Sequence, residues 1–547
     1  MAELGPLRKD EDGNAPDRNV MDSLLEAVGT RGRFQQRFNW TFNLLVMTFA
    51  AMPYVNFVIA LTVPDHWCHV PGREATNYTQ QQWKALHIPR KEDNASFEKC
   101  LMFNSSTDEP IPCQHGWDYD RTWFSRTAPS QEDWVCEDEL KVVNVFSFGQ
   151  LGEVVGTLAF AHIGDMWGRR TAFFLSALTS SATHCLMVGT AHSYPLFVAV
   201  STLASATNAA SFQAPLTFSM EVCDEEAKGR VMMMQCLAWT LGMLVMPMVA
   251  WLCRDWVPFM LATSVPLGLA VFLHRLFPES PRWLASRGDH ERCLESLREI
   301  ARVNGTAVPP GALQQLRHSS VGREKSLGVA SLFSSWRLIL NTLLISTCRM
   351  VFELAYYSLL LNVTNLEGNP FMNFAWQSLA EFPGYVAGRW VADHMGRRWS
   401  QVGVSVIAAF ALFIAAAFAA VPELSWMCSG VTMFARLCLI VQSYVSYLQA
   451  MEAFPTCVRQ TGTAVGNVAA GALVVVGPYI VYLGKTEPWL PFAVLGAVTL
   501  AGALLASFIP ETLHVRQPET LQEAQVFGSD QPYFSCIGMK RRCHTSG

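Results

Sequence analysis

Residues 164–170 read Gly-Asp-Met-Trp-Gly-Arg-Arg, and residues 392–398 read Ala-Asp-His-Met-Gly-Arg-Arg. Each places Asp-x-x-Gly-Arg-Arg directly after a long apolar segment. Asp165 and Asp393 lie 228 residues apart. Other punctuation repeats at nearly this offset. Glu221 and Glu452 end two apolar segments 231 apart, and Pro278-Glu279 and Pro510-Glu511 follow two more, 232 apart. A repeat that spans the chain at one offset reads as a duplicated membrane unit.

Composition agrees. The 547 residues would suffice for several soluble domains, but they are 51% hydrophobic and only 16% charged. The apolar residues come in runs of about 20, the length that crosses a bilayer as helix. Twelve spans are expected near 38–62, 141–163, 171–190, 194–222, 229–252 and 256–277, then 337–361, 369–392, 400–420, 427–452, 462–484 and 488–509. The fold class is an all-α membrane protein. The expected domains are an N-terminal segment 1–37, a six-helix bundle 38–277, a linker 278–336, a second bundle 337–509 and a tail 510–547. The polar, mixed-charge start has no cleavable signal, so the first span directs insertion.

Basic residues set the orientation. Arg282, Arg287, Arg292, Arg298, Arg302, Arg317, Arg323 and Lys325 crowd the linker, and Arg169-Arg170 and Arg397-Arg398 occupy short loops on the same side. That side is expected to be cytosolic, with both termini. The loop 63–140 then faces outward. Its Cys68, Cys100, Cys113 and Cys136 are expected to form two disulfides, with three pairings open. Sequons at Asn77, Asn94 and Asn104 fit secretory-pathway exposure. Within the linker, 289–302 has helical composition, and Asn304-Gly305 and Pro309-Pro310 stop it. The tail, with Cys536 and Cys543 around Lys540-Arg541-Arg542, reads as an unstructured polar end in preference to a palmitoylation site.

These features resemble the major facilitator superfamily, and within it the organic cation, carnitine and organic anion transporter family. The resemblance rests on the cysteine-bearing loop, Trp134-Val135-Cys136 before span 2, Pro278-Glu279-Ser280-Pro281-Arg282-Trp283-Leu284 after span 6, and Glu452-Ala453-Phe454-Pro455-Thr456-Cys457-Val458-Arg459 after span 10. It implies two six-helix bundles, pseudo-symmetric, that rock around a central cavity. It also implies gating latches: Asp165, Arg169, Arg170, Glu221 and Arg230 in one half, and Asp393, Arg397, Arg398, Glu452 and Arg459 in the other. Two departures stand out. Met166 and His394 occupy places where the family usually has arginine, and the loop has four cysteines where many relatives have six.

Ionisable groups inside a span are costly, so each is a functional candidate. They are Glu153 in span 2, Arg349 and Glu353 in span 7, Glu381 in span 8 and Arg436 in span 10. Glu381 resembles the family's span 8 glutamate associated with cation recognition, with Tyr356, Tyr357 and Trp376 as cage aromatics. Its alternative is a helix-holding pair with Arg436. Arg349 and Glu353, four apart, read as an internal pair. Glu153 is a candidate for binding a proton or cation, and His184 reads as a packing residue. Counting from Arg459, the family's span 11 selectivity charge falls near Gly471, and residues 462–484 carry no charge. The expected activity is therefore a plasma-membrane carrier of small organic cations or zwitterions, facilitative or coupled to Na+ or H+. The alternatives are an organic anion exchanger and a non-transporting receptor on the same scaffold. No metal-ligand spacing, nucleotide loop, nucleophile motif or basic nucleic-acid stripe is visible, so no enzyme, cofactor or nucleic-acid partner is expected.

Overall fold

The computed structural model describes residues 20–90, 97–104, 109–318, 329–455, 458–513, 515, 518, 521–528 and 531. Asn94, Cys536 and Cys543 lie outside these residues, as do the side chain of Arg459 and the linker charges Arg323 and Lys325. Among the described residues, ten helices are long and apolar enough to cross a membrane: Arg33–Ala60, Cys136–Trp167, Arg169–Thr190, Tyr194–Val222, Ala227–Cys253, Trp256–Leu276, Trp336–Asn365, Arg397–Ala419, Trp426–Ala453 and Thr461–Lys485. They are spans 1 to 7 and 9 to 11. Span 12 is the shorter Leu490–Ala506. Span 8 is broken into Pro370–Leu379 and Glu381–Met395. The twelve spans form the two expected bundles.

The breaks have chemical causes. Pro383 has no N–H to give the carbonyl four residues back, so span 8 restarts at Glu381, which takes the first position of the second half-helix. Span 11 breaks between Val474 and Gly477, ahead of Pro478. The freed Val475 carbonyl accepts the Ser147 hydroxyl of span 2 at 3.0 Å. In a hydrocarbon solvent such a carbonyl needs a protein partner.

Close backbone approach sets the packing within each half. A Cβ on Gly156 of span 2 would lie 1.9 Å from the Ala206 carbonyl oxygen of span 4. One on Gly152 would lie 2.3 Å from that of Thr202. Gly384 and Gly388 of span 8 do the same job against Ile440 and Tyr444 of span 10. Gly384 and Gly388 sit 232 residues after Gly152 and Gly156.

The loop after span 1 is a cap of two small antiparallel ribbons, His66–Cys68 with Trp117–Tyr119 and Leu101–Phe103 with Pro110–Pro112. Disulfides join Cys68 to Cys113 and Cys100 to Cys136. The cap rests on the start of span 6, where Trp256 Nε1 donates to Gln131 Oε1 at 3.0 Å and Arg126 pairs with Asp255 at 2.9 Å. Burial keeps the His66 imidazole below its ordinary pKa.

At the opposite, motif-bearing face, the start of the chain is not the simple polar segment its composition suggests. Val20–Val28 is an amphipathic helix that buries Met21, Leu24, Leu25 and Val28. It docks on the linker helix His290–Asn304, which ends at Gly305 in the left-handed region. Asn304 donates to the Val28 and Gly29 carbonyls at 3.1 Å each, and accepts from the Phe34 amide at 2.8 Å.

The glycine contacts lead to a measurable contrast. Gly156→Leu should lower the thermal midpoint of the detergent-purified protein by several degrees, because overpacking against backbone costs about 1–3 kcal/mol. Gly189→Ala, a position with nothing within 4 Å of an added Cβ, should leave the midpoint unchanged or slightly raised. Equal midpoints for the two variants would contradict the close approach of spans 2 and 4.

Candidate functional site

Two buried charges and a half-buried tyrosine meet in the second half. Arg436 Nη2 donates to Glu381 Oε1 at 2.5 Å, and Arg436 Nε reaches the same oxygen at 3.2 Å. The Tyr356 hydroxyl donates to that oxygen at 2.8 Å. The guanidinium lies over the Tyr356 ring, 4.7 Å from its centroid. Glu381 and Arg436 are both fully buried. The helix break places Glu381 in the first turn of a half-helix, where the dipole favours a carboxylate. The group is not internally complete: Glu381 Oε2 and Arg436 Nη1 are buried without a hydrogen-bond partner.

Its surroundings come from both halves. Trp239 of span 5 faces Tyr356, and Tyr385 and Cys236 lie close to Glu381. Trp239 also meets the rings of Tyr54 and Phe212 edge-on, at 5.1 and 5.7 Å. In the first half, the Tyr54 hydroxyl donates to Glu153 Oε1. Glu153, Tyr54, Gln150 and Tyr357 line a small cavity of about 20 Å³, room for roughly one water. The Arg349–Glu353 pair, at 2.8 Å, is partly open, with side chains 24% and 30% exposed.

The expected residues divide accordingly. Glu381, Arg436 and Tyr356 come together directly, while Tyr357 and Glu153 sit beside one another at the junction of the halves. Trp376 does not join them. It is 50% exposed on a stripe with Met372, Leu379, Phe382, Val386 and Trp390, all exposed at helical spacing, whereas Gln377 and Glu381 are buried. Trp239, Tyr54 and Tyr385 supply the aromatic walls instead. They were missed because an aromatic residue within an apolar run carries no signal of which side it faces. His184 is buried and packs on Phe57, with its ring nitrogens facing the Ser180 and Pro53 carbonyls.

Gly471, near which the family's span 11 charge would fall, packs on span 2. A Cβ there would lie 2.6 Å from Val154 Cγ2. A charged side chain at that position would have to displace Val154.

At the motif face the duplicated residues build two matching clusters, each within one half. Arg169 reaches the Gly164 carbonyl at 2.7 Å, Asp165 at 2.9 Å and Glu221 at 3.3 Å. Arg397 reaches the Ala392 carbonyl at 3.0 Å, Asp393 at 3.5 Å and Glu452 at 3.1 Å. Gly168 and Gly396 take φ of 99° and 84° to turn one span into the next, a conformation that favours glycine.

The start of span 3 is capped by Glu279, which accepts the amides of Arg169 at 2.8 Å, Arg170 at 3.3 Å and Ser280 at 3.0 Å. Glu511 caps span 9 through the amides of Arg397 at 2.8 Å and Arg398 at 3.1 Å. Capping of these helix starts thus falls not to the motif aspartates Asp165 and Asp393 but to Glu279 and Glu511. Their shared offset in the repeat was the signal for them. Burial raises the Glu279 carboxyl above its ordinary value, and the amides it accepts, with Arg169, oppose that rise.

The expected Glu221–Arg230 contact is absent: Glu221 is held by Arg169, and the Arg230 side chain is exposed. The Arg31 hydrogen bond holds the neighbouring Asp224 carboxyl below its usual range.

Further contacts between the halves lie towards the cap face. Lys485 pairs with Glu139, the Tyr479 hydroxyl donates to Asn144 Oδ1 at 2.8 Å, and Phe124 meets Phe371 at 5.0 Å. Leu360, Leu361, Phe371, Phe374 and Val481 of the second half share one apolar core with Met52, Val58, Phe197 and Trp256 of the first.

Of the outer sequons, Asn77 is exposed. Asn362, at an outer helix end, is 6% exposed and its Oδ1 accepts from Asn365.

The clusters rank their own residues. Arg169→Ala should lower stability by about 2 kcal/mol, since it strips Glu221 of its partner and Gly164 of a donor. Asp165→Ala, whose side chain is 73% exposed, should cost under about 0.5 kcal/mol. Glu279→Ala and Glu511→Ala should each cost about 1–2 kcal/mol and add in the double variant, because they serve separate halves. Unfolding curves of the purified variants test the ranking, and an Asp165 effect equal to that of Arg169 would contradict it.

Comparison with known proteins converges on one family. The model of the sugar (and other) transporter family matches residues 97–523. The carcinine transporter of Drosophila melanogaster is 27% identical, the alignment covering 98% of this chain and 84% of that protein. Solute carrier family 22 member 7 of Rattus norvegicus is 28% identical, with 92% and 98% covered. Organic cation/carnitine transporter 2 of Homo sapiens is 25% identical, with 92% and 93% covered. Among solved structures, the inward-open xylose transporter of E. coli superposes with a TM-score of 0.59 at 15% identity, over 90% of this chain and 100% of that one, a likeness of fold.

Proposed function

This chain belongs to the sugar (and other) transporter family and is a membrane transporter of the solute carrier 22 kind, and from that premise we propose that it is a plasma-membrane, alternating-access carrier of small organic cations or zwitterions. The observation that carries the reading is the incomplete charged group. Glu381 Oε2 and Arg436 Nη1 are both buried and both unpartnered. A zwitterionic solute brings an ammonium for the first and a carboxylate for the second. The aromatic faces of Tyr356, Tyr385 and Trp239 suit an alkylammonium. Relatives are named for carcinine, carnitine and β-alanine, all small amine solutes. The packed Gly471 supports the same reading, since net recognition charge then rests on span 8 rather than span 11. Glu153, beside Tyr54 and facing the second half, is our candidate for coupling to Na+ or H+.

The gating reading follows from where the contacts lie. With the motif face and both termini in the cytosol, the Glu139–Lys485 pair and the Tyr479–Asn144 hydrogen bond join the halves on the outer side. Each motif cluster closes on its own half, and its aspartate, Asp165 or Asp393, keeps an exposed side chain beside its arginine that can meet the opposite half when the inside closes. The Glu139–Lys485 pair is then one of the outer locks.

Two experiments test these proposals. Uptake of labelled tetraethylammonium, carnitine, β-alanine and p-aminohippurate is measured in cells, with variants matched for surface level. Removing one charge alone leaves the other buried, at a cost of about 3–5 kcal/mol, so the informative variant is Glu381→Gln with Arg436→Gln. Saturable uptake of a cation or zwitterion that falls tenfold or more in this double variant is expected. Retained uptake, or uptake of p-aminohippurate alone, sinks the substrate assignment. For gating, Glu139→Gln with Lys485→Gln should increase labelling of a cysteine introduced at Asn144 by an impermeant reagent added outside, and unchanged labelling would remove the pair from the gate.

A further inference from the structure

A second site lies on the motif face, away from the charged group. A cavity of about 470 Å³ opens between the starts of spans 1 and 3, the end of span 6 and the linker helix His290–Asn304. Arg37, Arg170, Arg275 and Arg302 line it, one from each element, with His274 and a single carboxylate, Glu299. Among the described residues, none of these four arginines forms an ion pair. Four guanidiniums facing one carboxylate leave the cavity with a net positive charge. Its floor is apolar, built on Phe38, Phe42 and Phe277.

The rim continues onto an exposed apolar surface at the ends of spans 1 and 6. Trp40, three residues beyond Arg37, is 61% exposed. Phe272 is 77% exposed and lies three residues before Arg275 in the 3₁₀ turn Ala270–Leu276, where such residues eclipse. Leu269, one turn earlier, is 54% exposed. Guanidiniums at the depth of the headgroups, with exposed apolar side chains directly beside them, match a molecule that has a phosphate at one end and hydrocarbon at the other.

We propose that this cavity binds the headgroup of an anionic phospholipid, whose acyl chains lie along spans 1 and 6 over Trp40, Leu269 and Phe272. The apolar rim favours a lipid over a free phosphate, which would use the arginines alone. Arg170 belongs both to this cavity and, through its amide, to the Glu279 cap, so the lipid touches the turn between spans 2 and 3.

The test uses the full chain in neutral detergent, with native mass spectrometry to score retention of phosphatidylinositol phosphate against phosphatidylcholine. Arg275→Gln with Arg302→Gln should reduce retention of the anionic lipid about tenfold or more. Both side chains are exposed, so folding does not depend on them. Arg287→Gln with Arg298→Gln removes the same charge elsewhere on the linker and should change retention by less than about twofold. Glu299→Gln should raise it. Equal loss in the two double variants, or no preference over phosphatidylcholine, would overturn the site. Competition by a soluble inositol phosphate at the same concentration as the lipid would assign the cavity to a free anion and overturn the lipid.

Discussion

A broken helix in hydrocarbon has nowhere to send its loose hydrogen bonds except into protein. That constraint governs how this transporter is built, because two of its spans are broken by proline at mid-membrane depth. In span 8 the break creates a half-helix start, and a carboxylate, Glu381, occupies it with Arg436 and Tyr356 around it. In span 11 the freed Val475 carbonyl finds Ser147 on span 2. One break thus makes the charged group and the other joins the halves. The cost of irregular backbone is met by contacts within the protein.

The charges at the motif face answer a related problem. Spans 3 and 9 begin with amides that no helical carbonyl can reach. Glu279 and Glu511 arrive from the far end of each half to accept them. The arginine that follows each glycine then ties three things together: the carbonyl end of the preceding span, the motif aspartate and a glutamate at the end of a third span. The two clusters differ in burial, with Arg397 at 8% exposure and Arg169 at 19%. The second half is therefore the more tightly bound at this face. Each cluster ties three spans of its own half together at this face.

The resemblance to a known family was legible in loops, because loop motifs use residues with special demands: glycine for positive φ, proline for helix starts, and cysteine for covalent links. The charged candidates within the spans were also legible, since each is costly there. The aromatic lining was not. Trp376 and Trp239 are alike in sequence, each a tryptophan in an apolar run, yet one lies on the exposed stripe of span 8 and the other faces Tyr356. The amphipathic helix Val20–Val28 was hidden by the polar composition around it. Both failures share a cause: a hydrophobic residue in a membrane protein is equally comfortable against lipid and against protein.

The amino-acid sequence by itself determined the duplicated membrane architecture, the turn motifs with their partner glutamates at fixed offsets, and the short list of charges that lipid would not tolerate. These follow from local rules of helix length, backbone conformation and solvation. Only the tertiary structure decided which charges meet, that Glu381 and Arg436 each keep one atom unpartnered, that Cys68 pairs with Cys113, and that the halves join at the cap face. Those outcomes depend on helix rotation and on contacts between residues tens to hundreds of positions apart, and no local pattern encodes them.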